Sequence, residues 1–234
     1  MTDFHTHILP AVDDGSKSVA ESLEMLAALS DQGITQIVAT PHFYADDESV
    51  DGFLIRRQKS FEQLAKETPS DIPKIFLGAE IRYYNGLSRL EKLDSLCIQG
   101  TKLLLIEMPE RKWSETTLRE LTDIASSGRY IPVIAHIERC IFYQSDAVFC
   151  RLLANGVLMQ MNASFFLGSF SKFKAIRLAE KSRIHFIGSD CHNMSERAPN
   201  TGKAYATLEK KLGKDYVADF TEFANNQLKI NSKG

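Results

Sequence analysis

The segment Lys102-Leu103-Leu104-Leu105-Ile106-Glu107 sets an unbroken aliphatic run directly before a carboxylate. A short apolar run without polar alternation describes a strand covered on both faces, as in a parallel sheet. Glu107 then stands where that strand emerges. The same grammar recurs along the chain. The runs Asp3–His5, Gln36–Thr40, Lys74–Ala79, Ile131–Ala135, Val157–Met161 and Ile184–Gly188 are predicted to be further strands.

Helical patterns lie between most of them. Ser18–Gln32 carries an apolar stripe of Val19, Leu23, Leu26 and Leu29, with Gly33 placed to end it. Asp51–Glu67, Ser114–Ser127, Asp146–Asn155, Lys172–Lys181 and Asn200–Leu212 read as helices too. Gly86–Gln99 reads as a shorter helical connection, and the amphipathic stretch Asp215–Leu228 closes the chain. Regular alternation of strand and helix implies an α/β fold with a parallel sheet. Two architectures meet that description, a closed barrel and an open doubly wound sheet.

The residues that follow the strands favour the barrel. In chain order they are His5 and His7 with Asp13 and Asp14, then His42, Glu80, Glu107, His136, Asn162, and finally Asp190 with His192. In a barrel these ends converge on one mouth, where barrel enzymes keep their active sites, whereas an open sheet spreads them along an edge. Taken singly, each has a bland explanation. A lone histidine is more often a hydrogen-bonded loop or core residue, and Asp14 before Gly15-Ser16 suits a helix cap. Together they do not, because apolar strands rarely finish on buried carboxylates unless a positive charge holds them ionised. Metal ions supply that charge. His185 lies inside its apolar run and is read as structural.

Histidine and carboxylate ligands without a role for cysteine suit manganese, iron or zinc. Leaving Asp13 and Asn162 aside, the nine remaining candidates exceed what one ion uses, so two or three ions sharing a bridging carboxylate are expected, with Glu80 as the bridge. Three divalent ions would outweigh Asp14, Glu80, Glu107 and Asp190, leaving positive charge suited to an anionic substrate.

The remaining bulk properties exclude more than they assert. The 234 residues are 44% hydrophobic and 25% charged, as in a soluble protein, and a single domain over residues 1–234 is expected. A net charge of −2 gives no reason to expect nucleic acid. No apolar run approaches the roughly 18 residues of a membrane span. The opening residues lack the basic-then-apolar pattern of a secretory leader. Cys97, Cys140, Cys150 and Cys191 match no zinc knuckle or redox pair. A cytoplasmic protein with reduced thiols is expected, with no membrane insertion.

Asp3-Phe4-His5-Thr6-His7, the Asp13-Asp14-Gly15 turn, Thr40-Pro41-His42, Gly78-Ala79-Glu80, His136-x-Glu138-Arg139 and Gly188-Ser189-Asp190-x-His192 together resemble the polymerase-and-histidinol-phosphatase (PHP) family. Closest in likeness is its bacterial branch of manganese-dependent tyrosine phosphatases of capsular polysaccharide biosynthesis. The resemblance runs from Asp3 to about Pro199 and implies a distorted (β/α)7 TIM-like barrel, the PHP fold, with three divalent ions, manganese ahead of iron or zinc. By that resemblance one ion takes His5, His7, Glu80 and Asp190, a second Glu80, Glu107 and His136, and a third Asp14, His42 and His192. Arg139 and Arg197 match arginines that clamp phosphate, and planar guanidinium groups suit that task. The implied reaction is hydrolysis of protein phosphotyrosine. The implied partner is an autophosphorylating bacterial tyrosine kinase governing capsule or exopolysaccharide synthesis. Turnover of a small phosphomonoester such as histidinol phosphate is the alternative. The sequence departs from the branch at Ile137, Cys140, Cys191 and Ala198 without losing a ligand.

Cys191 and Arg197 also form a C-x5-R spacing, the signature of cysteine-dependent tyrosine phosphatases. Such loops cradle phosphate with backbone N–H groups and usually contain glycine. Here the loop is His192-Asn193-Met194-Ser195-Glu196, with no glycine and with a carboxylate that repels phosphate. The spacing is coincidental on this reading. Cys191→Ser is therefore expected to keep most phosphatase activity while a chelator abolishes it; the opposite pattern in a phosphate-release assay overturns the metal reading.

Overall fold

The computed structural model describes residues 1–69 and 72–229. Strand β1 (Thr2–Thr6) leads through helix α1 (Val19–Asp31) to β2 (Gln36–Ala39) and β3 (His42–Phe43). Helix α2 (Val50–Glu67) returns the chain to β4 (Lys74–Leu77) and β5 (Glu80–Arg82). There follow β6 (Leu103–Glu107), α3 (Glu115–Ser126), β7 (Ile131–Ile134), α4 (Asp146–Ala154), β8 (Leu158–Asn162) and α5 (Ser171–Glu180). Strand β9 (Phe186–Gly188), α6 (Thr201–Leu212) and α7 (Lys214–Lys229) complete the order. Three of the helices start on a serine whose hydroxyl accepts a first-turn N–H: Ser18 from Glu21, Ser49 from Gly52 and Ser114 from Thr117.

All strand pairs are parallel, in the orders β1-β2-β4 and β3-β5-β6-β7-β8-β9. The seven expected strands thus become nine, because two of them break. Pro41 has no N–H to offer a ladder. Past it the chain leaves the first sheet and begins β3 in the second; β4 and β5 part at Gly78-Ala79 alongside. His42 and Glu80, expected just beyond strand ends, are instead the first residues of β3 and β5 and stand in register. The sheets close on each other where Asp190 N–H donates to the His5 carbonyl at 2.8 Å and His7 N–H to the Cys191 carbonyl at 3.0 Å. Between β4 and β6 no ladder forms among the described residues. The Gln99 N–H donates to the Leu77 carbonyl there, and the Ile98 N–H to the Leu103 carbonyl. The result is a distorted TIM-like barrel.

The connection Gly86–Gln99 is not a helix but two 3-10 turns, Leu87–Arg89 and Leu93–Leu96. Gly86 and Lys92 adopt left-handed φ values of 101° and 61°, which interrupt any helix.

Strand β6 shows how the core divides. Leu103 and Leu105 point into the barrel with Phe4, Val38, Phe76, Val133 and Phe186. Leu104 and Ile106 point outward with Ile37 and Ile134, against helix residues such as Met25, Leu26, Leu118 and Leu121. Phe4 and Phe186 stack at 3.8 Å across the closure. Ala224 and Leu228 of α7 join the interior cluster, and Thr2 donates to Asn225 at 2.9 Å. The closing amphipathic stretch therefore stoppers the end of the barrel opposite the strand C-termini.

The β1–β9 closure depends on a missing side chain. A Cβ at Gly188 would sit 2.4 Å from the His5 Cβ and 2.8 Å from its backbone nitrogen. Gly188→Ala is expected to destabilise the protein by about 1–3 kcal/mol through overpacking and to weaken metal binding through His5. Thermal melting with and without metal tests this; an unchanged midpoint in both overturns it.

Candidate metal centre

Glu80 is the hub of the mouth. Its carboxylate is 1% exposed, and four imidazoles surround it. His5 Nε2 lies 3.1 Å, His7 Nε2 3.2 Å and His42 Nδ1 3.1 Å from Oε2, while His136 Nε2 lies 2.6 Å from Oε1. Asp190 Oδ1 is 3.6 Å from His5 Nε2 and 3.4 Å from His7 Nε2. Asp14 Oδ1 is 3.4 Å from His42 Nε2 and 3.3 Å from His192 Nε2. Glu107 Oε1 is 3.7 Å from His136 Nε2. The nine residues expected from the sequence are brought together in one cluster.

Three overlapping groups place their ligand atoms within 4.8 Å of one another: His5, His7, Glu80 and Asp190; His7, Asp14, His42 and His192; and His42, Glu80 and Glu107. The first is as expected. The second adds His7 to the expected trio. The third differs, since His42 rather than His136 groups with Glu80 and Glu107. The register of β3 with β5 is the reason, because it sets His42 beside Glu80.

Outer hydrogen bonds aim the rings. His7 Nδ1 lies 2.7 Å from Asp13 Oδ2, and Asp13 also accepts the His42 and Gly15 backbone N–H groups at 2.9 Å. His5 Nδ1 lies 3.1 Å from Gln160 Oε1, which accepts the His136 backbone N–H at 2.7 Å. His192 Nδ1 lies 3.0 Å from the Asp190 carbonyl. A proton on each Nδ1 leaves the Nε2 lone pair facing the carboxylates, the arrangement that metal-binding histidines use. His42 Nδ1 and His192 Nε2 are buried with no hydrogen-bond partner, although carboxylate oxygens approach them closely. A cation between those atoms would satisfy both sides, so the donor set fits a metal centre. His136 and Asp190 hold left-handed backbone, φ 30° and 54°, which marks strain at this rim.

Charge and burial act in opposition. Burial disfavours ionised Glu80 and Asp190, yet the charges and hydrogen bonds of His5, His7 and, for Glu80, His136 outweigh it and hold both carboxyls well below their ordinary range. Burial likewise disfavours charged His5 and His7, but Glu80 and Asp190, with Asp13 at His7, raise both. His42 is lowered by burial, and His192 is lowered to about 4 by burial and by His7. Without metal, protons on some rings thus stand in for cations while other rings remain neutral.

Arg139 Nη2 lies 2.8 Å from Asp190 Oδ2, and Arg197 Nη2 lies 2.7 Å from Asp190 Oδ1. The two guanidinium groups flank one carboxylate at the edge of the cluster. Asn162 donates to the same Asp190 Oδ2 at 2.9 Å. Cys191 is buried in the core, and burial followed by the nearby Asp3 pushes its thiol pKa upward, away from nucleophilic use. His185 is apart from the cluster, its Nδ1 accepting the Met159 N–H. Asp3 ties β1 to the Ser189 N–H and the Thr201 hydroxyl.

The sequence reading missed the supporting roles of Asp13 and Gln160. Asp13 was visible as a neighbour of Asp14, but Gln160 inside an apolar strand carried no signal. Phe43 and Trp113, aromatic residues that follow strands in the sequence, are core residues. Tyr44, next to Phe43, stacks on His42 instead and lines a groove of about 350 Å³ with Tyr83, Glu107 and Met108.

The family model for capsular polysaccharide synthesis, CpsB/CapC, matches residues 1–230. The chain is 36% identical over 236 residues to the tyrosine-protein phosphatase YwqE of Bacillus subtilis, covering 98% of this chain and 92% of that protein. It is 33% identical to the tyrosine-protein phosphatase CpsB of Streptococcus pneumoniae, with 98% of each chain covered. The crystal structures of YwqE and CpsB, described as unique metal-dependent tyrosine phosphatases, include one that superposes with a TM-score of 0.84 at 32% identity, over 99% of this chain and 96% of that one.

The electrostatics set a pH dependence for the metal-free chain. The raised histidines stabilise the fold fully below about pH 6.5 and lose that contribution as pH rises through their folded values. The depressed carboxylates stabilise it above about pH 4.5 and lose it as pH falls through theirs. The chelator-treated protein is therefore expected to melt at a lower temperature at pH 9 than at pH 7.5, above the range in which the lowered His42 and His192 oppose the trend, with metal restoring the loss. Melting curves at both pH values test this; higher stability at pH 9 without metal contradicts the pairing.

Proposed function

The chain belongs to the capsular polysaccharide synthesis CpsB/CapC family, and from that membership we propose that it is a metal-dependent protein-tyrosine phosphatase. Residues 1–234 act on this reading as a single domain. The observation that carries it is the buried carboxylate Glu80 among four imidazoles, with two guanidinium groups at the rim. His5, His7, Asp14, His42, Glu80, Glu107, His136, Asp190 and His192 are proposed to hold three divalent ions, manganese ahead of iron or zinc.

Bound there, divalent ions supply Lewis acidity towards phosphoryl oxygens and a nucleophile ionised at neutral pH. The chain's own residues do the rest. Asp13, Gln160 and the Asp190 carbonyl hold the imidazole tautomers so that lone pairs face inward. Arg139 and Arg197 grip the phosphoryl oxygens and neutralise charge in the transition state. Asp190 keeps both guanidinium groups at the edge of the cluster until substrate arrives. A tyrosine leaving group, with a pKa near 10, asks little of a general acid.

The proposed substrate is the phosphotyrosine of an autophosphorylating bacterial tyrosine kinase that governs capsule or exopolysaccharide synthesis, met in the cytoplasm. No helix among the described residues is long and apolar enough to cross a membrane.

Metal analysis of active protein, alongside turnover of a phosphotyrosine peptide and of histidinol phosphate, is the decisive experiment. Two or three ions per chain and a clear preference for the peptide are expected. Fewer than two ions in an active sample sinks the cluster, and a preference for histidinol phosphate sinks the substrate.

A further inference from the structure

Among the described residues, the exposed large hydrophobic side chains are not scattered. All but Ile55 and Phe223 lie in the segments that follow β7, β8 and β9. Phe142 is 76% exposed, Phe170 91% and Phe173 62%, so most of each side chain faces solvent. Exposed aromatic clusters of this kind mark interaction sites more than ordinary surface. Lys174 Nζ sits 4.1 Å from the Phe142 ring, which joins the turn after β7 to helix α5 as one surface. Phe142 follows Arg139, one half of the proposed phosphate clamp, by three residues in that same turn.

Below the rings runs a groove of about 530 Å³, lined by Phe170, Phe173, Lys174, Arg177, Lys181 and Arg183, with Asp146 and Leu178. Arg183 is paired with Asp146 at 3.0 Å. Lys174, Arg177 and Lys181 have no carboxylate partner among the described residues. This basic stretch stands out in a chain whose net charge is −2.

We propose that this aromatic and basic groove between α4 and α5 docks the polypeptide flanking the phosphotyrosine, and that it selects acidic flanks. The inference rests on the phosphatase reading and adds the part of the substrate that the clamp does not touch. Carboxylates in the flank meet Lys174, Arg177 and Lys181, and apolar or aromatic side chains lie against Phe142, Phe170 and Phe173. Six extended residues of flank reach about 20 Å from the phosphotyrosine. A concave wall with a carboxylate at Asp146 suits side chains better than the flat headgroup plane of a membrane.

The test compares three substrates of the metal-loaded full chain: p-nitrophenyl phosphate, a phosphotyrosine peptide with Asp and Glu on both sides, and the same peptide with Gln and Ser there. Wild-type protein is expected to show a KM about tenfold lower for the acidic peptide, the size of two or three rim charge contacts. That preference shrinks as salt rises. The triple variant Phe170→Ser, Lys174→Gln, Arg177→Gln is expected to lose the preference and keep p-nitrophenyl phosphate turnover. Equal KM values for the two peptides in the wild type overturn the inference and need no variant. So does a variant that keeps the preference, or one that loses all three activities alike. Docking of anionic phosphatidylserine vesicles or self-association through the patch, without flank preference, also overturns it. Wild-type turnover of p-nitrophenyl phosphate with no phosphotyrosine peptide cleaved at all removes the protein-tyrosine phosphatase reading, a result distinct from a missing flank preference.

Discussion

A carboxylate held almost wholly out of water needs positive charge beside it, and much of this protein is arranged around that need at Glu80. Four imidazoles approach its two oxygens, and Asp190 brings a second acid into the same space. Buried acids on their own would take up protons rather than stay ionised. Here the rings keep Glu80 and Asp190 ionised, and divalent ions meet the same requirement with more charge and fixed direction.

The barrel supplies that arrangement by breaking its own regularity. The ladder breaks at Pro41 and changes sheet without slipping, so His42 still stands opposite Glu80 in the register that residues 36–39 hold with 74–77. Gly188 lets β9 approach β1 so closely that His5 and Asp190 share a hydrogen-bonded seam. The left-handed backbone at His136 and Asp190 turns their side chains inward at the rim. Left-handed backbone at two ligands and a missing side chain at Gly188 thus stand where ligands must converge, while α7 and an ordinary aliphatic core hold the far end.

Much of this was legible one residue at a time. Leu103 to Glu107 announced both a buried parallel strand and the acid at its end, and the helices at Val19–Asp31 and Thr201–Leu212 fell within a residue of their expected ends. The family motifs named the eight residues that the structure gathers into ligand groups, and His136, which lies 2.6 Å from Glu80. What escaped was of two kinds. Gly86–Gln99 has apolar spacing fit for a helix, but the left-handed turns at Gly86 and Lys92 prevail. Gln160 looked like one polar residue in an apolar strand, and its bonds to His5 and His136 arise only because β7, β8 and β1 meet.

The sequence by itself determined the kind of fold and the chemical kind of site, because strand burial and metal-ligand chemistry are written in residue type and order. Only the tertiary structure decided which ring stands beside which oxygen, which nitrogen of each ring faces inward, and that the unpaired cations and bare phenyl rings beside the mouth form one groove. Those are distances between residues far apart in the chain, fixed by the register of β3 with β5, the close seam at Gly188 and the packing of α5 on the barrel wall. No periodicity or motif records such distances, since they exist only once the strands have closed.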